Sequence, residues 1–365
     1  MKPINTLNFI YVLVLFVFNH SYSQEMGFEE YNPTSTLVVP TNERMQAKFP
    51  FIDVHSHQRN MDTRDLSELI QLMDGLNEGI MVNLSGGNGD RITNAVKHIN
   101  ESYPNRFVVF ANVDFDGVGN PGWTEKAVAQ LEADVKNGAK GLKIYKSLGL
   151  YNKDVDGNRL AIDDIRLDPI WAKCGELGIP VLIHAADPKP FWDEFDADNE
   201  RWLELKTHSR RKRSDTDPAP WEQIIGEQHN MFKKHPKTNF INAHMGWYAN
   251  DLGKLSELLD EIPNMNVGIA AVIAELGRQP KQAHAFFVKY QDRILFGKDS
   301  WQPNEFPTYF RVLETEDEYF PYYKKYHAFW AMYGLGLPDI VLKKVYYGNA
   351  LKLIPGLDKS LFPEL

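Results

Sequence analysis

The 365-residue sequence predicts an α/β fold, a single closed (β/α)8 barrel of the TIM type, on two observations. Short apolar, β-branched runs recur along the chain, and segments with the apolar spacing of an amphipathic helix separate them. Strands that alternate with helices form a parallel sheet, and eight strands close such a sheet into a barrel. The eight predicted strands are Phe51–His57, Gly79–Leu84, Phe107–Val113, Ala139–Tyr145, Pro180–His184, Asn239–His244, Asn266–Val272 and Ile294–Gly297.

The segment before the barrel has the pattern of a secretory signal peptide. Lys2 is its one charged residue, an apolar run covers Phe9–Phe18, and small residues precede Gln24. An apolar run of this length is too short to span a bilayer, so we expect cleavage, no stable membrane insertion afterwards, and a secreted or periplasmic protein. An uncleaved N-terminal anchor is the alternative. The predicted organisation is a signal peptide at 1–23, a polar lead-in at 24–50 and one barrel domain at 51–365.

The charge balance and the single cysteine exclude several classes of protein. The chain has 49 acidic and 40 basic side chains and a formal net charge of −9. That balance argues against a nucleic-acid or anionic-membrane surface. Cys174 is the one cysteine, so we expect no intramolecular disulfide and no thiolate metal cluster, and we interpret it as a buried small hydrophobe.

Two elaborations of the barrel are predicted. The widest interval between strands follows the fifth strand and contains the basic run Arg210–Arg213. An insertion there lies at the catalytic face of a barrel, so it is a candidate lid or substrate wall, and a solvated surface excursion is the alternative.

After the last strand, Phe306–Tyr333 is rich in aromatic residues and predicts a helical segment. Its aromatic side chains favour core packing or a homodimer contact over a ligand site.

The motif with the most chemical content is Asp53-Val54-His55-Ser56-His57. Side chains two apart on a strand share a face, so His55 and His57 point together into the barrel mouth. Two imidazoles at one strand end suit a divalent cation such as zinc. Asp53 lies deeper on the same face, where packing or orientation of the histidines is its expected role.

Three more strand ends have residues of the same class. His184 ends the fifth strand, His244 ends the sixth, and Asp299 follows the eighth. A single histidine after an apolar run is ordinary in a protein core. A barrel, however, brings the carboxyl ends of all its strands to one face, so we expect these side chains to converge with those of the first strand.

This order of residues resembles the amidohydrolase superfamily of metal-dependent barrels. The closing Gly348-Asn349-Ala350 is similar to the C-terminal pattern of its amidohydrolase-related branch, which includes aminocarboxymuconate-semialdehyde decarboxylase and related lactonases. The resemblance covers about Phe51 to Leu353. It implies one Zn²⁺ and assigns the metal ligands and the acid–base pair. The implied ligands are His55, His57, His184 and Asp299, and the implied catalytic residues are Asp299 and His244.

The resemblance implies a metal-dependent hydrolase that uses a metal-activated water on a small carbonyl or cyclic substrate (amide, lactone or ester). A metal-dependent non-oxidative decarboxylase of a carboxylated unsaturated or aromatic acid is the alternative, because the same site serves both reactions. A third hypothesis, a catalytically inactive barrel that binds a ligand, is disfavoured because all five polar positions are present.

Four other residues are candidates for the same site. Lys143 is flanked by apolar residues on the fourth strand, which turns it into the barrel. The favoured role is a barrel-lining ammonium that pairs with a carboxylate or binds an acidic substrate. The alternative, by similarity to binuclear amidohydrolases, is a carboxylated bridge to a second metal. Glu275 and Arg278 follow the seventh strand and are candidate substrate contacts. Lys298, where the family more often has a small or hydroxyl residue, is another.

Overall fold

The computed structural model describes residues 26–365, so the predicted signal peptide at 1–23 lies outside the described residues. The chain divides into two units, Met1–Leu37 and Val38–Leu365. The described part of the first unit is an exposed segment with one turn, in which Tyr31 N donates to Gly27 O at 3.1 Å. Within the described range, no helix combines the length and the hydropathy that crossing a bilayer requires.

The second unit is a parallel α/β barrel, as the sequence predicts. Segments β3 and β4 are the two halves of one barrel strand, which is interrupted at Phe110, so nine segments fill eight strand positions. The segments are β1 Phe51–Ser56, β2 Glu78–Asn83, β3 Phe107–Val109, β4 Ala111–Asn112, β5 Leu142–Ile144, β6 Val181–Ile183, β7 Phe240–Asn242, β8 Met265–Gly268 and β9 Ile294–Leu295.

Neighbouring strands pair in parallel in the order β1-β2-β3 and β4 through β9. The ring is completed by backbone hydrogen bonds between its first and last strands. Val54 N donates to Phe296 O at 3.1 Å, and Asp299 N donates to His55 O at 2.7 Å. Ser56 and Asp299 form a parallel bridge at the same edge. This contact places Asp299 beside the histidines of β1.

The helices surround the strands and bury one face each. In α1, for example, Leu69, Met73 and Leu76 recur at helical spacing and are buried. The helices are α1 Ser67–Leu76, α2 Asp90–Ser102, α3 Trp123–Lys136, α4 Ser147–Leu150, α5 Asp168–Leu177, α6 Trp202–Thr207, α7 Trp221–Lys234, α8 Leu252–Glu261, α9 Ile273–Gly277, α10 Pro280–Lys289, α11 Phe306–Glu314, α12 Asp339–Lys343 and α13 Asn349–Leu353.

The aromatic C-terminal segment packs into the core mainly through its first part, which is also its helical part, whereas Tyr319 and Phe329 are exposed. The rings of Phe306 and Phe310 in α11 are fully buried, and both pack within 6 Å of the Phe51 ring by centroid distance. Beyond α11 the chain forms the antiparallel pair β10 Phe320–Pro321 and β11 Ala331–Met332. A helix does not continue easily through Pro321, which lacks an N–H donor and whose ring clashes with the preceding turn.

The predicted insertion lies between β6 and α7 and includes the short helix α6. Only part of its basic run, Arg210–Arg213, is a solvated surface segment. Arg211 forms an ion pair with Glu204, and Arg213 pairs with Asp187 at 2.8 Å. The side chains of Glu204, Arg213 and Asp187 are buried, so these ion pairs hold distant parts of the insertion together. Arg210 remains exposed.

Two carboxyl groups are buried inside the barrel, away from its mouth. Asp53 accepts hydrogen bonds from the backbone N–H of His55 at 2.9 Å and of Lys298 at 3.1 Å. Glu78 begins β2, and neither of its carboxylate oxygens has a hydrogen-bond partner among the described residues. Burial raises the pKa of Asp53 to about 7. Burial, followed by repulsion from Asp53, raises the pKa of Glu78 well above its ordinary value.

We expect Glu78→Gln to stabilise the protein at pH 8. The unfolded chain ionises Glu78 near its ordinary pKa, whereas the folded protein holds the proton. The free energy of unfolding therefore falls as pH rises from the unfolded pKa to the raised folded pKa. Glutamine removes that loss, so denaturant unfolding at pH 8 should give a gain of more than about 1 kcal/mol. At pH 4.5 the difference should be small.

The exposed Glu101 on α2 provides the matched control, and Glu101→Gln is expected to leave the unfolding free energy unchanged at both pH values. A Glu78→Gln variant that is less stable than the wild-type protein at pH 8 contradicts the assignment of a protonated Glu78.

Candidate metal centre

The end of β1 and Asp299, which follows β9, form the first part of the site. The Nε2 atoms of His55 and His57 lie 3.6 Å and 3.7 Å from Asp299 Oδ1. The three ligand atoms all lie within 4.8 Å of one another. The hydrogen bond that joins Asp299 to His55 at the barrel closure holds the carboxylate at this position. One ion is within reach of all three side chains.

His184 and His244 form the second part of the site and are hydrogen-bonded to each other. His244 Nδ1 lies 2.7 Å from Ala270 O, which only accepts, so this nitrogen has the proton. The other nitrogen of neutral His244 then accepts from His184 Nδ1 at 3.1 Å. His184 Nε2 is left with a free lone pair. The His244 ring lies between its neighbours, 4.2 Å from the His184 centroid and 5.0 Å from the His55 centroid.

A hydrogen-bond chain also determines the tautomer of His57. Tyr145 OH donates to Leu84 O at 2.9 Å, so the Ser85 hydroxyl donates to Tyr145 at 3.0 Å. Ser85 Oγ in turn accepts from His57 Nδ1 at 2.9 Å. The proton is therefore on Nδ1, and the lone pair of Nε2 faces Asp299. Such outer contacts commonly orient metal-binding histidines.

The electrostatics of the site favour neutral imidazoles. Burial lowers the pKa of His55 and of His184 well below the ordinary value, and it lowers that of His57 to about 4. Two buried nitrogens, His55 Nε2 and His184 Nε2, have no hydrogen-bond partner in the described part of the chain. Buried lone pairs without donors, next to the carboxylate of Asp299, fit a divalent cation.

Lys143 lies inside the barrel, as the sequence predicts. Its Nζ is buried without a hydrogen-bond partner among residues 26–365 and lies 5.5 Å from the Tyr145 ring centroid. Burial lowers the pKa of this ammonium to about 7. Its charge in turn contributes to the lowered pKa of His55, after burial. This position is compatible with both predicted roles, the carboxylated bridge and the substrate-facing ammonium.

The other three candidates lie in ion pairs beside the site. Glu275 pairs with Arg201 at 3.2 Å and with Arg278 at 2.6 Å. Lys298 Nζ is bound to Glu305 and donates to the carbonyl of Ser300 at 2.9 Å. These contacts join the insertion and the C-terminal segment to the barrel. Substrate binding by Glu275, Arg278 and Lys298 stays a prediction.

Trp247 is a site residue that the sequence did not indicate. Its ring stacks on His244, with the centroids 4.6 Å apart and the planes at 19°, and its Nε1 donates to Ala185 O at 2.9 Å. The backbone from His244 to Trp247 is left-handed, with φ between 52° and 64°. Gly246 is the one local indication, since a Cβ there would lie 2.4 Å from Asn242 Nδ2.

Comparison with known families places the chain in one class. A family model described as amidohydrolase matches residues 87–356. That match covers well over half of the sequence, so the chain belongs to the amidohydrolase family, and the predicted resemblance is confirmed. No curated protein sequence matches the chain.

Solved structures of the same fold include three with informative descriptions. A dihydroxybenzoic acid decarboxylase from a Polaromonas species, with bound manganese and the inhibitor 2-nitroresorcinol, is 14% identical, with a TM-score of 0.53 over 84% of this chain and 96% of that chain. An uncharacterised TIM-barrel protein from Bordetella bronchiseptica is 16% identical, with a TM-score of 0.51 over 83% and 98%. A 4-oxalomesaconate hydratase from Rhodopseudomonas palustris is 14% identical, with a TM-score of 0.50 over 85% and 97%. These likenesses confirm the barrel fold.

We expect Ser85→Ala to weaken metal binding. The variant removes the acceptor that holds the proton on Nδ1 of His57, so the ring loses its fixed tautomer and orientation. Loss of such an outer contact commonly costs about 10–100-fold in metal affinity. Competition with a chelator of known zinc affinity measures the change. Ser256→Ala on the outer helix α8, where the hydroxyl donates to Leu252 O, is the control. Wild-type zinc affinity in Ser85→Ala contradicts the role of Ser85.

Proposed function

We propose that the protein is a metal-dependent hydrolase of a small carbonyl or cyclic substrate, an amide, lactone or ester. The observation that supports this proposal is the convergence of free imidazole lone pairs and one carboxylate at the open end of the barrel. His55, His57 and Asp299 share one ion-sized space. His184, whose Nε2 has no partner among the described residues, is outside that group of three and is linked to it through the ring of His244, 4.2 Å from the His184 centroid and 5.0 Å from the His55 centroid. Neither a structural core nor a ligand-binding surface requires four neutral histidines in this arrangement.

His55, His57, His184 and Asp299 would hold the ion, and zinc suits this set of imidazole and carboxylate ligands. A bound divalent ion supplies an acidified water and polarises the carbonyl group of the substrate. Asp299 accepts the proton of the attacking water and returns it to the leaving group, for which its partly exposed side chain is accessible. Both ring nitrogens of His244 are hydrogen-bonded, so His244 would act by holding the Nδ1 proton of His184 in place, which keeps the Nε2 lone pair of His184 free.

A second candidate is the metal-dependent non-oxidative decarboxylation of a carboxylated unsaturated or aromatic acid. The same residues serve this reaction, with Asp299 protonating the carbon that loses carbon dioxide. The buried and unpartnered ammonium of Lys143 favours an anionic substrate. The manganese-containing decarboxylase of similar fold also supports this candidate.

We expect one divalent ion per chain when the protein is purified without chelators. Elemental analysis of the purified protein measures this value. His55→Ala is expected to lose the ion, because it removes the most buried of the ligands. About two ions per chain, reduced to one by Lys143→Ala, would indicate the carboxylated bridge instead. A wild-type protein that contains no bound metal contradicts the proposed function.

We expect Asp299→Asn to lower kcat by about 10²–10⁴-fold, because the amide cannot accept a proton. Turnover of a panel of amides, lactones, esters and carboxylated aromatic acids measures the effect, with Asp292→Asn on the protein surface as the control. Formation of bicarbonate would identify the decarboxylase, and consumption of water without bicarbonate would identify the hydrolase. Unchanged turnover in Asp299→Asn contradicts both candidates.

A further inference from the structure

The turn that begins at His244 has a backbone conformation that its residues do not favour. His244, Met245, Gly246 and Trp247 are consecutive and all left-handed, with φ between 52° and 64°. Three of the four have a Cβ atom, for which a left-handed conformation is costly. Such strain persists only where surrounding contacts hold it, and it is concentrated at functional sites. The side chains that hold this turn therefore also hold the site.

The geometry of the turn brings the rings of His244 and Trp247 together. The turn is of the 3₁₀ type, in which side chains three residues apart lie one above the other. The two rings stack with their centroids 4.6 Å apart and their planes at 19°. The indole thus covers one face of the imidazole, while Nδ1 at its edge lies 2.7 Å from Ala270 O. The His244 ring cannot turn without breaking both contacts.

The indole N–H of Trp247 reaches the neighbouring loop. Nε1 donates to Ala185 O at 2.9 Å, and Ala185 directly follows His184. The Trp247 ring also lies 5.6 Å from the His184 ring, centroid to centroid. One side chain therefore contacts both histidines of the hydrogen-bonded pair, since it stacks on His244 and is bound to the peptide group next to His184.

The acceptor of this hydrogen bond lies in a segment that other contacts hold. Asp187 is two residues after Ala185. Its carboxylate binds Lys146 of the loop after β5 at 2.5 Å and Arg213 of the insertion at 2.8 Å. Because both partners are distant from Ala185 in sequence, they hold this segment independently of the indole. The bond to Ala185 O can therefore fix the position of Trp247.

The contact between the two histidines decides whether His184 can bind a metal. His184 Nδ1 donates to His244 Nε2 at 3.1 Å, and His184 Nε2 then keeps a free lone pair. If the His244 ring turned away, Nδ1 of His184 would lose its acceptor, and the proton would be free to occupy Nε2. A protonated Nε2 has no lone pair for a metal ion.

We propose that Trp247 is a positioning residue of the metal centre, which acts through His244 to keep the proton of His184 on Nδ1. The stack fixes the plane of the His244 ring, and the bond to Ala185 O fixes the indole that stacks. This inference rests on the proposed function, because it concerns a ligand of the proposed metal ion. It gives Trp247 no contact with the substrate and no part in the bond changes.

The test locates the two protons by two-bond ¹⁵N–¹H NMR of histidine-labelled, zinc-free protein at pH 8. We expect the wild-type protein to have the proton on Nδ1 in both His184 and His244. Trp247→Leu removes the stack and the N–H donor, so part of the His184 population should have its proton on Nε2. Trp247→Phe keeps a ring that can stack and should give an intermediate result. His184→Gln identifies the His184 signals.

Zinc affinity is the second measurement on the same variants. Loss of an outer contact commonly costs about 10–100-fold in metal affinity, so we expect a loss of about tenfold in Trp247→Leu and less in Trp247→Phe. Trp192→Phe is the matched control. Trp192 is also a partly buried indole that donates to a backbone carbonyl, Ala219 O at 2.8 Å, but it lies on the insertion. This control should retain the wild-type tautomers and zinc affinity.

Unchanged tautomers in Trp247→Leu overturn the inference whatever the zinc affinity, as does a wild-type spectrum with the His184 proton on Nε2. A shifted tautomer without any loss of zinc affinity overturns the role of Trp247 in the metal centre, and so does an equal loss of affinity in Trp192→Phe. If thermal unfolding shows that Trp247→Leu does not fold, Trp247→Phe replaces it in both measurements.

Failure of this inference is distinguishable from failure of the proposed function. The tautomers are measured without zinc and without a substrate, so they do not depend on the reaction. The proposed function fails if the wild-type protein contains no metal or if Asp299→Asn keeps its turnover, and neither result follows from the behaviour of the Trp247 variants.

Discussion

The hydrogen bond from Asp299 N to His55 O is the contact on which the site depends. It joins the last strand of the barrel to the first, and it links two residues that are far apart in sequence. Because a closed sheet allows little relative movement of its strands, this bond also determines the separation of the Asp299 carboxylate from the two imidazoles of β1. Barrel closure and ligand geometry are therefore one constraint.

The rim of the barrel has a strained backbone at the positions that the chemistry uses. Ala186, His244, Ala271 and Asp299 follow four consecutive strand segments, β6 to β9, and all have φ between 54° and 84°. Left-handed residues other than glycine cost of order 1 kcal/mol each, so they persist only where the surroundings hold them. Here the buried core beneath the rim holds them.

The periodicity of the sequence predicted the eight strands and the shared face of the polar residues of β1, because these depend on local spacing. It did not predict where the strands end, since the seventh predicted strand runs to Val272 and the observed β8 ends at Gly268. The positions of His55, His57 and Asp299 in one cluster follow from that pattern. The bond between His184 and His244 does not, because it depends on a left-handed turn that only Gly246 indicates. Ser85 and Lys146 were also beyond prediction, since loop paths determine which side chains meet across strands. The C-terminal segment is helical only to Glu314, where Thr315 becomes extended, and aromatic spacing alone does not indicate this end.

The adjacency of Tyr145 and Lys146 has a consequence for redesign of this enzyme. Tyr145 supports His57 through Ser85, and Lys146 meets Asp187, so a single loop carries both contacts. Any shift of that loop would also move the support of the His57 imidazole.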